Sequence, residues 1–121
     1  MAKFEINGKE YELKLTFKAV RHLNSLYDGG AYALIGKAIM GDLDTFVHIV
    51  YAGLIHTGEN FKLKDVEKAI EDLFEAEKLD QDEVTRISNE VVTGSFFYKK
   101  TVDKLLKDNP QAKKAIETLM A

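Results

Sequence analysis

The chain has 121 residues, of which 45% are hydrophobic and 31% charged, a composition typical of one globular domain. Seventeen basic and twenty acidic residues give a net charge of −3, which argues against a protein whose main ligand is nucleic acid. Without cysteine there are no disulfides or thiolate metal sites, and no apolar run approaches the ~20 residues that span a bilayer. We therefore expect a soluble, cytoplasmic protein.

The N-terminal segment is predicted to form a β-hairpin. Alternating runs flank Asn7-Gly8, the dipeptide that best tolerates the positive φ angles of a type I′ turn. Such a turn pairs Phe4 with Tyr11 and places the apolar side chains of both strands on one face. Because an isolated hairpin is marginally stable, it must pack on the following helices, on a partner, or on both.

Helical patterns follow the hairpin, each with boundary signals in the sequence. The third is apolar nearly all round, so it is either central in its bundle or covered on one face by another chain. The fourth places Val66, Ile70, Leu73 and Phe74 on one face. The predicted helices are 17–27 (N-cap Thr16, ended by Gly29-Gly30), 32–40 (ended by Gly41), a third from Asp42 or Asp44 to about 56, 65–77, a long stretch after the cap Asp80 with a kink or break at Gly94-Ser95, and a short helix after Asn109-Pro110.

These patterns predict a mostly α (α+β) fold, a multi-helix domain with an N-terminal two-stranded β-hairpin. We assign residues 1–121 to a single domain. Within it, 1–15 form the hairpin, 16–107 the helical core, and 108–121 a short C-terminal helix that frays unless it docks, because ten residues are too few for a stable isolated helix.

No residues stand in a pattern that predicts catalysis, a cofactor or a metal. His48 and His56 share one helix but lie two turns apart with no ligand residue between them. The carboxylates within 67–77 alternate with lysines, which is typical of an exposed, ion-paired helix face rather than an acid–base pair. There is no nucleophile elbow and no phosphate-binding loop.

The aromatic run Phe96-Phe97-Tyr98, beside Lys99-Lys100, is the feature most typical of a partner-binding surface. Three consecutive helical residues cover about 200° of the circumference, so one core cannot easily bury all three. Two interpretations stay open. Either two of them are buried and Phe97 or Tyr98 is half-exposed, or the run anchors a protein interface, where aromatic residues are enriched. The predicted partner-binding residues are Phe96, Phe97, Tyr98, Ile116 and Leu119.

Several segments resemble one known family. They are the hairpin and helix entry over 4–24 (FEINGKEYELKLTFKAVRHLN), Gly29-Gly30, the apolar helix through Tyr51-Ala52-Gly53-Leu54, and the helix containing 64–70 (KDVEKAI). Together they are similar to the tail assembly chaperones of long-tailed phages and prophages of Gram-positive bacteria. None of these segments is a catalytic signature; the likeness lies in the pattern of the fold.

The resemblance implies a non-enzymatic helper without cofactors. Such chaperones bind the tape measure protein, present it to tail tube protein, act in the host bacterial cytoplasm and are absent from the finished virion. Several families also make a longer product by ribosomal frameshifting. Apolar grooves between helices and self-association through the hairpin edge are compatible expectations, and no membrane is involved.

A different class of function stays open, a small phage or plasmid regulator that binds DNA through a helical pair. Its support is the basic C-terminal third of the chain, which contains Lys99-Lys100, Lys104, Lys107 and Lys113-Lys114. Duplex binding with a steep salt dependence would favour that function. An enzyme ranks third, because no polar cluster suggests a reaction.

Overall fold

The computed structural model describes residues 2–111, 113–114 and 118. The protein is 65% helical, with six α-helices and a two-stranded antiparallel hairpin among these residues, which confirms the predicted mostly helical α+β class. The elements are β1 (Lys3–Ile6), β2 (Lys9–Glu12), α1 (Phe17–Asn24), α2 (Gly30–Met40), α3 (Leu43–Leu54) with a 3₁₀ turn (Ile55–Thr57), α4 (Leu63–Glu75), α5 (Gln81–Val92) and α6 (Lys99–Lys107).

The hairpin has the predicted register, and it packs on the helices of its own chain. Phe4 pairs with Tyr11, and Asn7 and Gly8 have φ angles of 55° and 79°. These positive values at both central positions are those of a type I′ turn. The next residues join the hairpin to the third helix, because the Lys14 N–H donates to the Gly53 carbonyl across 3.0 Å.

The third helix, α3, is the centre of the fold. It packs against α1, α2, α4, α5 and β2. Phe46, Ile49 and Val50 have no exposed surface, so the alternative in which the apolar helix is central is confirmed. Gly53 allows the chain after β2 to approach, because a Cβ there would lie 2.9 Å from the Leu13 Cβ.

Three predicted N-caps are confirmed. The side chains of Thr16, Asp42 and Asp80 each accept a hydrogen bond from the backbone N–H three residues later, at 3.2, 3.0 and 2.8 Å. Each cap satisfies a donor that the first turn leaves unpaired. Of the two candidates before α3, Asp42 is therefore the cap.

Several helix boundaries differ from the sequence prediction by two or three residues; α2 begins at Gly30 rather than 32, and α4 spans Leu63–Glu75 rather than 65–77. The first helix ends at Asn24 rather than 27, because Ser25 turns the chain and its hydroxyl donates to the His22 carbonyl across 2.7 Å. Of the two alternatives at Gly94-Ser95, a kink or a break, the break is confirmed, since α5 ends at Val92 and α6 begins at Lys99. A Cβ at Gly94 would lie 2.5 Å from the Glu90 carbonyl oxygen, so the intervening turn needs glycine.

The predicted C-terminal helix lies mostly outside the described residues, as do Ile116 and Leu119. Among the residues that the structure does describe, no single helix is both long and apolar enough to cross a bilayer; α2 and the α3–3₁₀ segment pass that test of length and composition only as a pair bent by 110°.

The glycine contact predicts a pair of opposite stability changes. Gly53→Ala places a methyl group against Leu13, and such overpacking costs ~1–3 kcal/mol, more than the ~0.5–1 kcal/mol gained from helix propensity. Gly36→Ala in α2 is the matched control, because its Cβ would meet nothing within 4 Å. We expect urea unfolding followed by circular dichroism to show a destabilised Gly53→Ala and a stabilised Gly36→Ala. Equal shifts would contradict the close approach.

Candidate interaction surfaces

The three consecutive aromatic residues have separate environments. Tyr98 is fully buried and its hydroxyl donates to Asn24 Oδ1 across 2.7 Å, which ties the start of α6 to the end of α1. Burial raises the pKa of Tyr98 to about 12. Phe96 and Phe97 are 89% and 51% exposed. The interpretation with two buried aromatics is therefore wrong, and Tyr98 belongs to the core rather than to an accessible surface.

Phe96 and Phe97 belong to a larger exposed group that includes a residue from α1. Phe17 is 77% exposed, and the Arg21 guanidinium carbon lies 5.9 Å from the centre of its ring, within cation–π distance. We call this group the aromatic surface; it consists of Leu15, Phe17, Val20, Phe96 and Phe97 and surrounds a hollow of about 120 Å³.

Sequence reasoning missed Phe17 as a surface residue. The signal was present, because Phe17 lies off the apolar stripe that Ala19 and Leu23 form, and both of those residues are fully buried. What the sequence did not supply was the position of the α5–α6 turn, which places Phe96 and Phe97 beside the start of α1.

A second apolar hollow, of about 340 Å³, lies between α3 and α4. Phe74 is 61% exposed and Leu43 is 52% exposed, so the prediction that Phe74 shares the buried face of α4 is wrong, although Val66 and Ile70 are buried as predicted. We call the lining of this hollow the acid-rimmed surface. Its apolar residues are Leu43, Val47, Ile70, Phe74 and Leu79, and its carboxylates are Asp44, Glu67 and Glu71.

The acidic side of α4 is an exposed helix face, as predicted. Lys68 Nζ lies 2.7 Å from Asp72 Oδ1, four residues later, and both side chains are mostly exposed. Exposed pairs of this kind contribute little to stability. On α5, Arg86 makes a tighter ion pair, with both of its contacts to Glu83 under 3 Å and a further one to Glu90.

The histidines form a pair that the sequence did not predict. His22 Nε2 and His48 Nδ1 lie 3.2 Å apart and share one hydrogen bond between α1 and α3. Burial, and secondly the neighbouring His48, lower the pKa of His22. His56 instead donates to the Glu12 carbonyl across 2.7 Å. No group of three or more potential metal ligands occurs in the part of the chain that the structure describes.

Comparison with known proteins identifies one family. A family model described as "Phage tail assembly chaperone protein, TAC" matches residues 3–107, the whole of the hairpin and the six helices. No curated protein and no solved structure gives a significant match. The match agrees with the resemblance seen in the sequence and favours that function over a DNA-binding regulator.

The two environments of the aromatic run predict effects of very different size for a substitution by serine. Tyr98→Ser removes a buried ring and the partner of Asn24, and loss of a large core side chain costs ~3–5 kcal/mol. Phe96→Ser changes an exposed ring, so its effect should stay within ~0.5 kcal/mol. Chemical denaturation of the two variants measures this difference. A Phe96→Ser protein that unfolds as easily as Tyr98→Ser would show that Phe96 is a core residue.

The histidine pair predicts a pH dependence of stability. The pKa of His22 is lower in the folded chain than its ordinary value of 6.5, so protonation favours the unfolded chain. This contribution is complete above the ordinary value and is lost as the pH falls below it towards the lowered pKa of the folded chain. We expect His22→Gln to flatten the pH dependence of the urea midpoint below that ordinary value. An unchanged slope in His22→Gln would contradict the assignment.

Proposed function

The chain belongs to the phage tail assembly chaperone family, and we propose that it binds the tape measure protein of its phage and helps the tail tube protein to assemble. The single observation that carries the proposal is the family match over residues 3–107. In this proposal the chain holds the tape measure protein until the tail tube protein replaces the chain. Chaperones of this family are generally non-enzymatic, act in the host cell during assembly and are usually absent from the virion, and we propose the same for this chain.

The structure supports binding to an apolar protein segment. A buried hydrophobic core coexists with several large apolar side chains that are more than half exposed, including Phe17, Phe74 and Phe96. Apolar groups clustered on the surface of a soluble protein typically mark interaction sites. A tape measure protein with amphipathic helices would offer the complementary apolar faces, and helix-in-groove packing would shield them from aggregation.

The small size of both hollows supports reversible binding. The hollows of the aromatic and acid-rimmed surfaces measure about 120 and 340 Å³, so each holds few side chains of a partner. A weak contact at each copy lets the tube protein displace the chaperone. Many copies bound along one long partner would still hold it firmly, since linked weak contacts add avidity.

Self-association of the copies is part of the proposal. Each strand of the two-stranded hairpin has one strand partner, which leaves an outer edge on the sheet formed by the described residues. An outer edge accepts a further strand by backbone hydrogen bonding. Neighbouring copies on the tape measure protein would then contact one another through their hairpins.

Co-expression tests the proposed function. We expect the tape measure protein from the same genome to be mostly insoluble alone and soluble when co-expressed with this chain, and to co-purify with it. The matched control is co-expression with an unrelated acidic helical protein of similar size. If the soluble fraction of the tape measure protein does not change and no complex is recovered, the proposal is refuted. Tight, salt-dependent binding of the chain to duplex DNA would instead support the function of a DNA-binding regulator.

A further inference from the structure

The aromatic surface lies in a region of the chain that has only positive charge. Residues 13–27 and 91–102 supply all of its side chains, and these two segments contain five basic residues and no acidic one, although the chain has 20 acidic and 17 basic residues in total. The five are Lys14, Lys18, Arg21, Lys99 and Lys100, all of them exposed. Arg21 lies against the Phe17 ring and Lys99 directly follows the aromatic run, so a ligand of this surface meets positive side chains.

The size of the hollow indicates what kind of group enters it. Small-molecule sites usually measure ~300–1,000 Å³. The hollow between Phe17, Val20 and Phe97 has about 120 Å³, and its surroundings are mostly apolar. This volume suits one large apolar side chain of a protein partner, with Phe17 and Phe96 covering the residues beside it.

The backbone around the hollow indicates the conformation of that partner. One wall is the first turn of α1, whose N–H groups are satisfied in part by Thr16, and the other is the turn that ends at Tyr98. Neither wall is a strand edge, so a partner strand cannot be added there. Phenylalanine rings also lack the hydroxyl or indole donors that position the carbonyls of a polyproline helix. An amphipathic helix, which needs only side-chain contacts, fits both conditions.

We propose that the aromatic surface binds an amphipathic helix whose apolar stripe is flanked by glutamate or aspartate. An apolar side chain of the helix occupies the hollow beside Phe17 and Phe97, Phe96 packs along the stripe, and the flanking carboxylates face Arg21, Lys99 and Lys100. The inference rests on the proposed function, because it assigns to this surface the segments of the tape measure protein with acidic flanks.

The acid-rimmed surface provides an internal contrast. It has exposed apolar residues of similar size, such as Phe74, but its charged neighbours Asp44, Glu67 and Glu71 are negative. A helix with acidic flanks is repelled there, because like charges brought together across an interface weaken the binding of that partner. Phe74→Ser is therefore a matched control for Phe96→Ser: both remove an exposed phenylalanine, but from surfaces of opposite charge.

The test uses two labelled synthetic helical peptides with the same leucine stripe, one flanked by glutamates and the other by lysines. Fluorescence anisotropy with the full chain should show tighter binding of the glutamate-flanked peptide. Double substitution Phe17→Ser and Phe96→Ser should weaken that binding about tenfold or more, as truncation of anchor aromatics does. Phe74→Ser should leave it unchanged.

Charge reversal gives a second readout. The double variant Lys99→Glu and Lys100→Glu should reverse the preference toward the lysine-flanked peptide, and raising salt from ~0.1 to ~0.5 M should reduce the preference in the wild-type protein. Equal binding of both peptides, or loss of binding in Phe74→Ser alone, would overturn the proposal. It would also be overturned by a wild-type protein that sediments as an oligomer, excludes the peptide and dissociates when Phe17 and Phe96 are replaced, since a second copy would then occupy the surface.

The co-expression assay separates this inference from the proposed function. If the chain with Phe17→Ser and Phe96→Ser solubilises the tape measure protein as well as wild type does, the chaperone function stands and the aromatic surface is not its binding site. If the wild-type chain binds the glutamate-flanked peptide but leaves the tape measure protein insoluble, the surface is assigned correctly and the proposed partner is wrong.

Discussion

The rest of the structure depends on the need to cover the apolar part of α3. Most of its circumference is apolar, and the ~25 cal/mol gained per Å² of buried apolar area favours any element that packs there. Four helices and β2 do so. Leu43 and Asp44, at the start of α3, stay exposed. The Lys14 N–H donates to the Gly53 carbonyl in the last turn of α3, and Gly53, which has no side chain, lets the end of the hairpin approach closely. An element that is marginal alone is thereby made stable by the helix it covers.

The exposed aromatic groups follow from how the core is closed. Tyr98 enters the core and bonds to Asn24, and the preceding turn at Gly94 is tight enough to exclude any Cβ. With Tyr98 fixed inward, Phe96 and Phe97 are directed outward. The same contact that joins α6 to α1 therefore presents the aromatic surface.

The parts of the fold that sequence reasoning predicted are those that local chemistry determines. The Asn7-Gly8 turn sets the strand register, and Thr16, Asp42 and Asp80 cap helices through the residues beside them. The errors concern contacts between distant segments. Phe74 fits the apolar stripe of α4 but is 61% exposed among the residues that the structure describes, and His22 meets His48 only because α1 packs on α3. Neither fact is encoded in a local pattern.

Net charge is a poor guide to the partners of this chain because its charges are segregated. A value of −3 excludes an overall basic surface, yet residues 13–27 and 91–102 contain no acid, while α4 presents Glu67 and Glu71 beside Phe74. Screening over about 8–10 Å at ordinary salt makes each surface respond to the charges next to it rather than to the total. The protein therefore offers two apolar surfaces of similar chemistry and opposite sign, and charge is the property by which helical partners would distinguish them.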